Sequence, residues 1–315
     1  MLKQRIITAI VLFIGFFAAL FYLPPLHWAL LMSVVSAVAA WEWGGLAGLK
    51  QRERLVFGGV MLLVCLGGMV KLPKIVAGEP FPLERILNVL KYNLSGYNDF
   101  IACAAVFVLA TLFWCLVIPF WLRRRWRLDL TRWQEQGALL VLGVFLIFST
   151  WLSFIYVRGG TRGAEQLLIV MGIAWVSDIS AYFAGRKFGG KKLAPEISPG
   201  KTWAGVWGAL AGVWVYAMLL RSGISQVPLG LALLLMISVA LTYIFLAVLG
   251  IMGDLFESLL KRQAGIKDSS NILPGHGGVL DRIDSLMAIL PCVVIVLGVL
   301  RIVRNYFIEF YYSLL

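Results

Sequence analysis

An all-α membrane protein is expected from this chain, a polytopic helix bundle with about eight or nine transmembrane helices. Composition, run length and periodicity are the grounds. The chain is 61% hydrophobic and 14% charged, with a mean hydropathy of +0.88, whereas soluble domains carry about 45–50% apolar and about 25% charged residues. Its apolar runs reach roughly 16–24 residues, and about 20 helical residues cross a hydrocarbon core of about 30 Å. The runs are unbroken, without the alternation over about 10 residues that marks a membrane β-strand. Lipid offers no partner to an unpaired backbone amide, so helices must carry the spans.

In order, the spans fall at 6–23, 28–46, 55–70, 101–122, 137–157, 167–184, 203–220, 229–250 and 285–303. The first follows MLKQR, and basic residues ahead of an apolar run resemble a signal peptide. FYLPPLHWALL offers no small-residue cleavage site and leads directly into the second span, so 6–23 reads as a retained helix. The segment 71–100 is external on this reading and holds an amphipathic patch, LERILNVLKYNL, suited to lying on the membrane surface or capping the bundle. WLRRRWRLDLTRWQEQ, after the fourth span, reads as an interfacial anchor with aromatics at headgroup depth. No loop could bury a core of its own. The chain is therefore one integral membrane domain, 1–315, with N-terminal spans in 1–157 and the polar motifs in 167–303.

Placing the N-terminus in the cytoplasm puts nineteen of the 28 Lys and Arg residues on that side, as the positive-inside rule favours. Basic juxtamembrane segments are attracted to anionic headgroups, which accounts for the net charge of +12 without nucleic acid. Cys65, Cys103, Cys115 and Cys292 lie in apolar runs without metal-ligand spacing and read as small hydrophobes.

Against this background, residues 253–284, GDLFESLLKRQAGIKDSSNILPGHGGVLDRID, form a polar island between the eighth and ninth spans. Asp254, Glu257, Asp268, Asp281 and Asp284 meet Lys261, Arg262, Lys267 and Arg282 there. Asp254 and Glu257 are three apart, as are Asp281 and Asp284, so on a helix each pair shares a face. Crowded carboxylates repel, and a hard cation with oxygen ligands, most simply Mg²⁺, relieves them. The plainer alternative is a solvated, well-capped helix start. Gly275, Gly277 and Gly278 around His276 can let backbone amides cradle an anion, with the positive end of the ninth helix adding to the attraction. Such parts at a membrane surface suit phosphoryl or nucleotidyl transfer.

A second cluster, WVSDISAYFAGRKFGGKKLAPEISPGKTWAG, spans 175–205 and sets Ser177 and Asp178 inside a span, where an acid is expensive and by default functional. Glu42, in WEWGG near the inner end of the second span, is either functional or an acid that reaches nearby water. SPGKT is not a P-loop, because the pattern needs glycine where Pro195 stands. Lys201 and Thr202 remain candidates for phosphate contact without that fold.

Ser258, Lys261, Arg262, Lys267, Asp268, Ser270, Pro274, His276, Gly277, Gly278, Asp281, Arg282 and Asp284 together resemble the signature of the phosphatidate cytidylyltransferase, or CDP-diacylglycerol synthase, family. SDxxAYxxGR from Ser177 to Arg186, and SPxKTxxG from Ser198 to Gly205, resemble two further family segments in the same order, while Ala204 stands where many relatives carry Glu. The resemblance covers 175–284. It implies that CTP and phosphatidic acid give CDP-diacylglycerol and pyrophosphate, with Mg²⁺ required and a monovalent cation such as K⁺ beside it. It also implies a homodimer in a bacterial inner membrane, with the active-site segment 253–284 facing the cytoplasm.

On that reading Asp254, Asp281 and Asp284 bind metal, with Asp268 a fourth candidate, and Lys261, Arg262, Lys267 and Arg282 neutralise phosphates. His276, Gly277 and Gly278 shape the triphosphate or pyrophosphate site, and Ser258 joins the substrate-binding residues. Ser177, Asp178, Lys201 and Thr202 complete the pocket. The lipid phosphate is largely dianionic near neutral pH, its second pKa being about 6, so it needs no strong base to attack the α-phosphorus of CTP. Rival readings are a CTP-dependent enzyme acting on another lipid phosphate or a lipid alcohol, and a cation transporter using Glu42 and Asp178.

Overall fold

The computed structural model describes residues 2–72, 98–160, 162–220 and 229–313, and those residues fold as nine helices and one two-stranded hairpin. In chain order these are α1 (Leu2–Tyr22), α2 (Pro25–Leu46), α3 (Gln51–Lys71) and α4 (98–124). There follow α5 (Trp133–Gly159), α6 (Gly163–Phe188), β1 (Lys192–Ala194), β2 (Ser198–Thr202), α7 (Trp203–Leu219), α8 (Leu229–Gln263) and α9 (Leu280–Ser313). Seven helices, α2 to α6 with α8 and α9, are long and apolar enough to cross a membrane, while Ile10–Tyr22 of α1 and all of α7 are shorter apolar helices. The chain is a multi-pass helical membrane protein. The patch 83–94 lies outside the described residues.

Local sequence explains several element ends. Pro25 opens α2 at a position where its missing N–H has no helical partner to lose. Within α4 a π turn, Phe113–Val117, runs up to Pro119, which cannot donate to the preceding turn. Gly189 and Gly190 take positive φ and end α6. The hairpin then turns back, with Lys192 opposite Thr202 and Ala194 opposite Ser198, and Thr202 caps α7 by accepting from the Gly205 amide.

Tryptophans stitch the core. The indole N–H of Trp43 donates to the Leu139 carbonyl at 2.9 Å, and that of Trp151 to Ser33 Oγ at 3.0 Å, both joining α2 to α5. Each buries a large ring while its one polar atom finds a partner. Gly143 makes room for this, since a Cβ there would overlap the Trp43 indole. On α8, Phe256 is fully buried with Trp43, Phe113, Trp114 and Trp121 around it. Trp121 therefore belongs to the core, and of the expected interfacial stretch it is Trp126 and Trp133 that stay exposed.

The largest departure from expectation is the length of α8. Its 35 residues span about 52 Å at 1.5 Å each, well beyond a hydrocarbon core of about 30 Å. The helix continues through Asp254, Glu257, Ser258 and Lys261 to Gln263, and α9 begins at Leu280 rather than near 285. The polar island is thus two helix ends joined by 264–279. Leu255, Phe256, Leu259 and Leu260 keep one face of the extension buried, which is why it stays helical. Within the bundle α9 packs on α8, α5 and α4.

Candidate active site

A cavity of about 510 Å³ lies between α6, the hairpin, α7 and α8, and Ser177, Asp178, Lys201, Thr202 and Asp254 are among its lining residues. Two segments far apart in sequence meet there: Lys201 Nζ stands 2.5 Å from Asp254 Oδ2. Ser258, one turn along α8, donates to Asp254 Oδ1 at 3.3 Å. Asp178 of α6 and Asp284 of α9 lie within electrostatic reach of Asp254 and of each other. Gly253 permits this gathering, for a Cβ there would sit 2.5 Å from the Asp284 carbonyl oxygen. Three helices so bring carboxylates toward one point, with the lysine of a hairpin beside them.

A second constellation backs the first. Lys261 Nζ donates to Glu257 Oε2 at 2.7 Å and to Asp281 Oδ1 at 2.6 Å, joining α8 to α9 through groups that are all largely buried. The other oxygen of Asp281 accepts from the Ser269 amide, the Ser269 hydroxyl and the Gly278 amide at 2.8–3.0 Å. Glu42, fully buried on α2, accepts from Ser270 Oγ at 2.6 Å and the amides of Val279 at 2.9 Å and Leu280 at 2.6 Å, and it shares the single Ser269 hydroxyl proton with Asp281, its Oε2 lying 3.1 Å from Ser269 Oγ. The anion at the start of α9 is therefore the chain's own Glu42. Gly278 must be glycine, since a Cβ would overlap both Glu42 Oε1 and Ser269 Oγ.

The predicted residues thus divide. Ser177, Asp178, Lys201, Thr202, Ser258, Asp254 and Asp284 gather at or beside the cavity. Asp281 and Lys261 are committed to each other and to the 264–279 segment. Arg262 turns its guanidinium to the carbonyls of Ile197 and Ile266, fastening the hairpin to the end of α8. Arg282 donates to the His276 carbonyl at 2.8 Å, and the His276 amide to that of Leu273, also at 2.8 Å, closing a turn in which Gly277 takes φ +81°. Lys267 and Asp268 are exposed, although Asp268 passes close to Gly277. The Thr202 hydroxyl serves as the α7 cap. Sequence reasoning left the role of Glu42 unassigned and missed Ser269; the one available signal was an acid between two tryptophans of an apolar helix.

Residues 3–300 match the cytidylyltransferase family. The chain is 36% identical over 291 residues to a phosphatidate cytidylyltransferase of Pseudomonas aeruginosa, covering 92% of this chain and 95% of that one. It is 35% identical over 308 residues to that of Haemophilus influenzae, covering 92% and 96%. To that of Thermotoga maritima it is 42% identical over 175 residues, 53% of this chain and 62% of the relative.

Proposed function

The chain belongs to the cytidylyltransferase family, and from that membership and the geometry of its cavity we propose that it transfers the cytidylyl group of CTP to phosphatidic acid. The products are CDP-diacylglycerol and pyrophosphate. The observation that carries the reading is the pairing of Lys201 with Asp254 at 2.5 Å in a 510 Å³ cavity that Asp178 also lines, with Asp284 of α9 within electrostatic reach. Both substrates are polyanions, and their approach is opposed by Coulomb repulsion that must be offset locally.

The donors there fit Mg²⁺ in kind, being hard carboxylate oxygens. Among the described residues no three acidic, His or Cys side chains already stand as a metal cage. Mg²⁺ is usually held by one or two carboxylates together with substrate phosphates and water. Asp254 and Asp284 would hold it, with Asp178 within their electrostatic reach. When bound, Mg²⁺ would supply charge neutralisation at the phosphates. Lys201, drawn toward an incoming triphosphate, releases Asp254 and adds its own positive charge. Asp281, Lys261 and Glu257 keep α8 and α9 together behind the reacting groups. A neighbouring monovalent cation and a homodimer rest on the family resemblance alone. CTP arriving from the cytosol and a lipid headgroup at the inner leaflet of a bacterial inner membrane would meet at this end of the bundle.

Purified protein in detergent micelles, given labelled CTP, phosphatidic acid and Mg²⁺, should form CDP-diacylglycerol and release pyrophosphate. Release of CDP, with phosphorylation of a prenyl alcohol instead, would replace the proposal with a lipid kinase. Cation flux in sealed vesicles without CTP would point to a transporter.

A further inference from the structure

Resting on the cytidylyl-transfer reading above, we infer that Glu42 is a positioning residue for the reaction: from α2 it fixes the start of α9, and with it Asp284, against Asp254. Glu42 is 0% exposed between Trp41 and Trp43, and an isolated carboxylate in such surroundings is strongly disfavoured. Among the described residues its side chain accepts from donors 227 to 238 residues further on.

Two of those donors are the amides of Val279 and Leu280, which have no partner within α9 because they open its first turn. The positive end of the helix dipole meets the carboxylate there. The other two are the hydroxyls of Ser269 and Ser270, so one side chain holds both the helix start and the segment leading to it. Asp284 lies four residues after Leu280, one rigid turn away, so any shift at the anchor is passed to it. Asp281 clasps the same segment from the α8 side through Ser269 and Gly278. Glu42 is not among the residues that line the cavity and acts through α9. Arg54, stacked on Trp41 at 4.0 Å, is the cation in its field.

The test uses the full-length protein in micelles and the variant Glu42→Gln, which keeps the shape but turns an amide NH₂ toward donors. Hydrogen exchange read by mass spectrometry on peptides covering 264–284 should rise, with α5 and α7 peptides unchanged. The half-saturating Mg²⁺ for turnover should rise about tenfold, the size usual for residues that orient metal ligands. A purely structural role lowers the amount of folded enzyme without moving that half-saturation. Unchanged exchange, or loss of protection throughout the chain with an unmoved Mg²⁺ response, would overturn the inference. Should Glu42→Gln not fold, Ser270→Ala removes one donor and keeps the charge. It should shift both readouts the same way by about twofold to threefold, and a folded Ser270→Ala with wild-type values rejects the role. If the wild type makes no CDP-diacylglycerol the function falls separately, and the exchange measurement still decides whether Glu42 holds 264–284.

Discussion

Asp254 touches both sides of the proposed chemistry, with Lys201 at 2.5 Å and Ser258 at 3.3 Å. Asparagine there keeps the size but removes the charge that draws Lys201 and would hold a cation. Asp254→Asn should therefore lower kcat about a hundredfold or more, equivalent to about 2.7 kcal/mol of transition-state stabilisation. Circular dichroism and thermal unfolding should match the wild type, because the side chain faces the cavity rather than the core. Near-normal turnover by a folded Asp254→Asn would remove it from the site. The residue scale also shows where sequence reasoning stops. The acids of 253–284 were recognisable as a group, but nothing in their spacing separates Asp284, which joins Asp254 and Asp178, from Asp281, whose two oxygens are taken by Lys261, Ser269 and Gly278. That division depends on which donors the tertiary fold delivers. Glu42 shows the same limit across more than two hundred positions of chain.

At the scale of elements, the site depends on how closely α8 and α9 approach. Gly253 sits where a Cβ would lie 2.5 Å from the Asp284 carbonyl oxygen and 3.2 Å from Ala288 Cβ. Neither backbone nor methyl can swing aside, so Gly253→Ala must push the helices apart. Overpacking of this kind destabilises by about 1–3 kcal/mol, and here it also draws Asp254 away from Asp284. Activity should fall by at least about tenfold, alongside a lower unfolding midpoint in detergent. Gly59 on α3 has nothing within 4 Å of the corresponding position, and Gly59→Ala should leave both values within experimental scatter. Equal behaviour of the two variants would show that close packing of α8 on α9 does not set the site. The spans themselves were legible because each apolar run is long. The end of α8 was not, since rising polarity after residue 250 reads as a loop. The i, i+1, i+4, i+5 pattern of Leu255, Phe256, Leu259 and Leu260, all buried, is the helical signal that average polarity concealed.

Across the whole molecule, a set of long-range polar connections ties one end of the bundle together. Gln136 donates to the Ala47 carbonyl, Gln263 to that of Leu128, Arg262 to that of Ile197, and Arg125 pairs with Glu196. These bonds tie together the segments after α2, α4, α6 and α8, which with the helix ends that flank them hold seventeen of the 28 basic residues. A basic end belongs in the cytoplasm, and a cytosolic nucleotide requires the cavity to open there. Arg162 stands at the far end of α6, whose 26 residues separate it from the hairpin by about 39 Å. In a background with Cys65, Cys103, Cys115 and Cys292 replaced, Arg162→Cys should react with a membrane-impermeant maleimide in cells whose outer membrane has been permeabilised. Lys267→Cys, on the exposed segment beside the site, should react only in inverted vesicles. The proposed use of CTP requires this orientation, so the opposite labelling pattern would leave the site facing a compartment without CTP and defeat the proposed reaction.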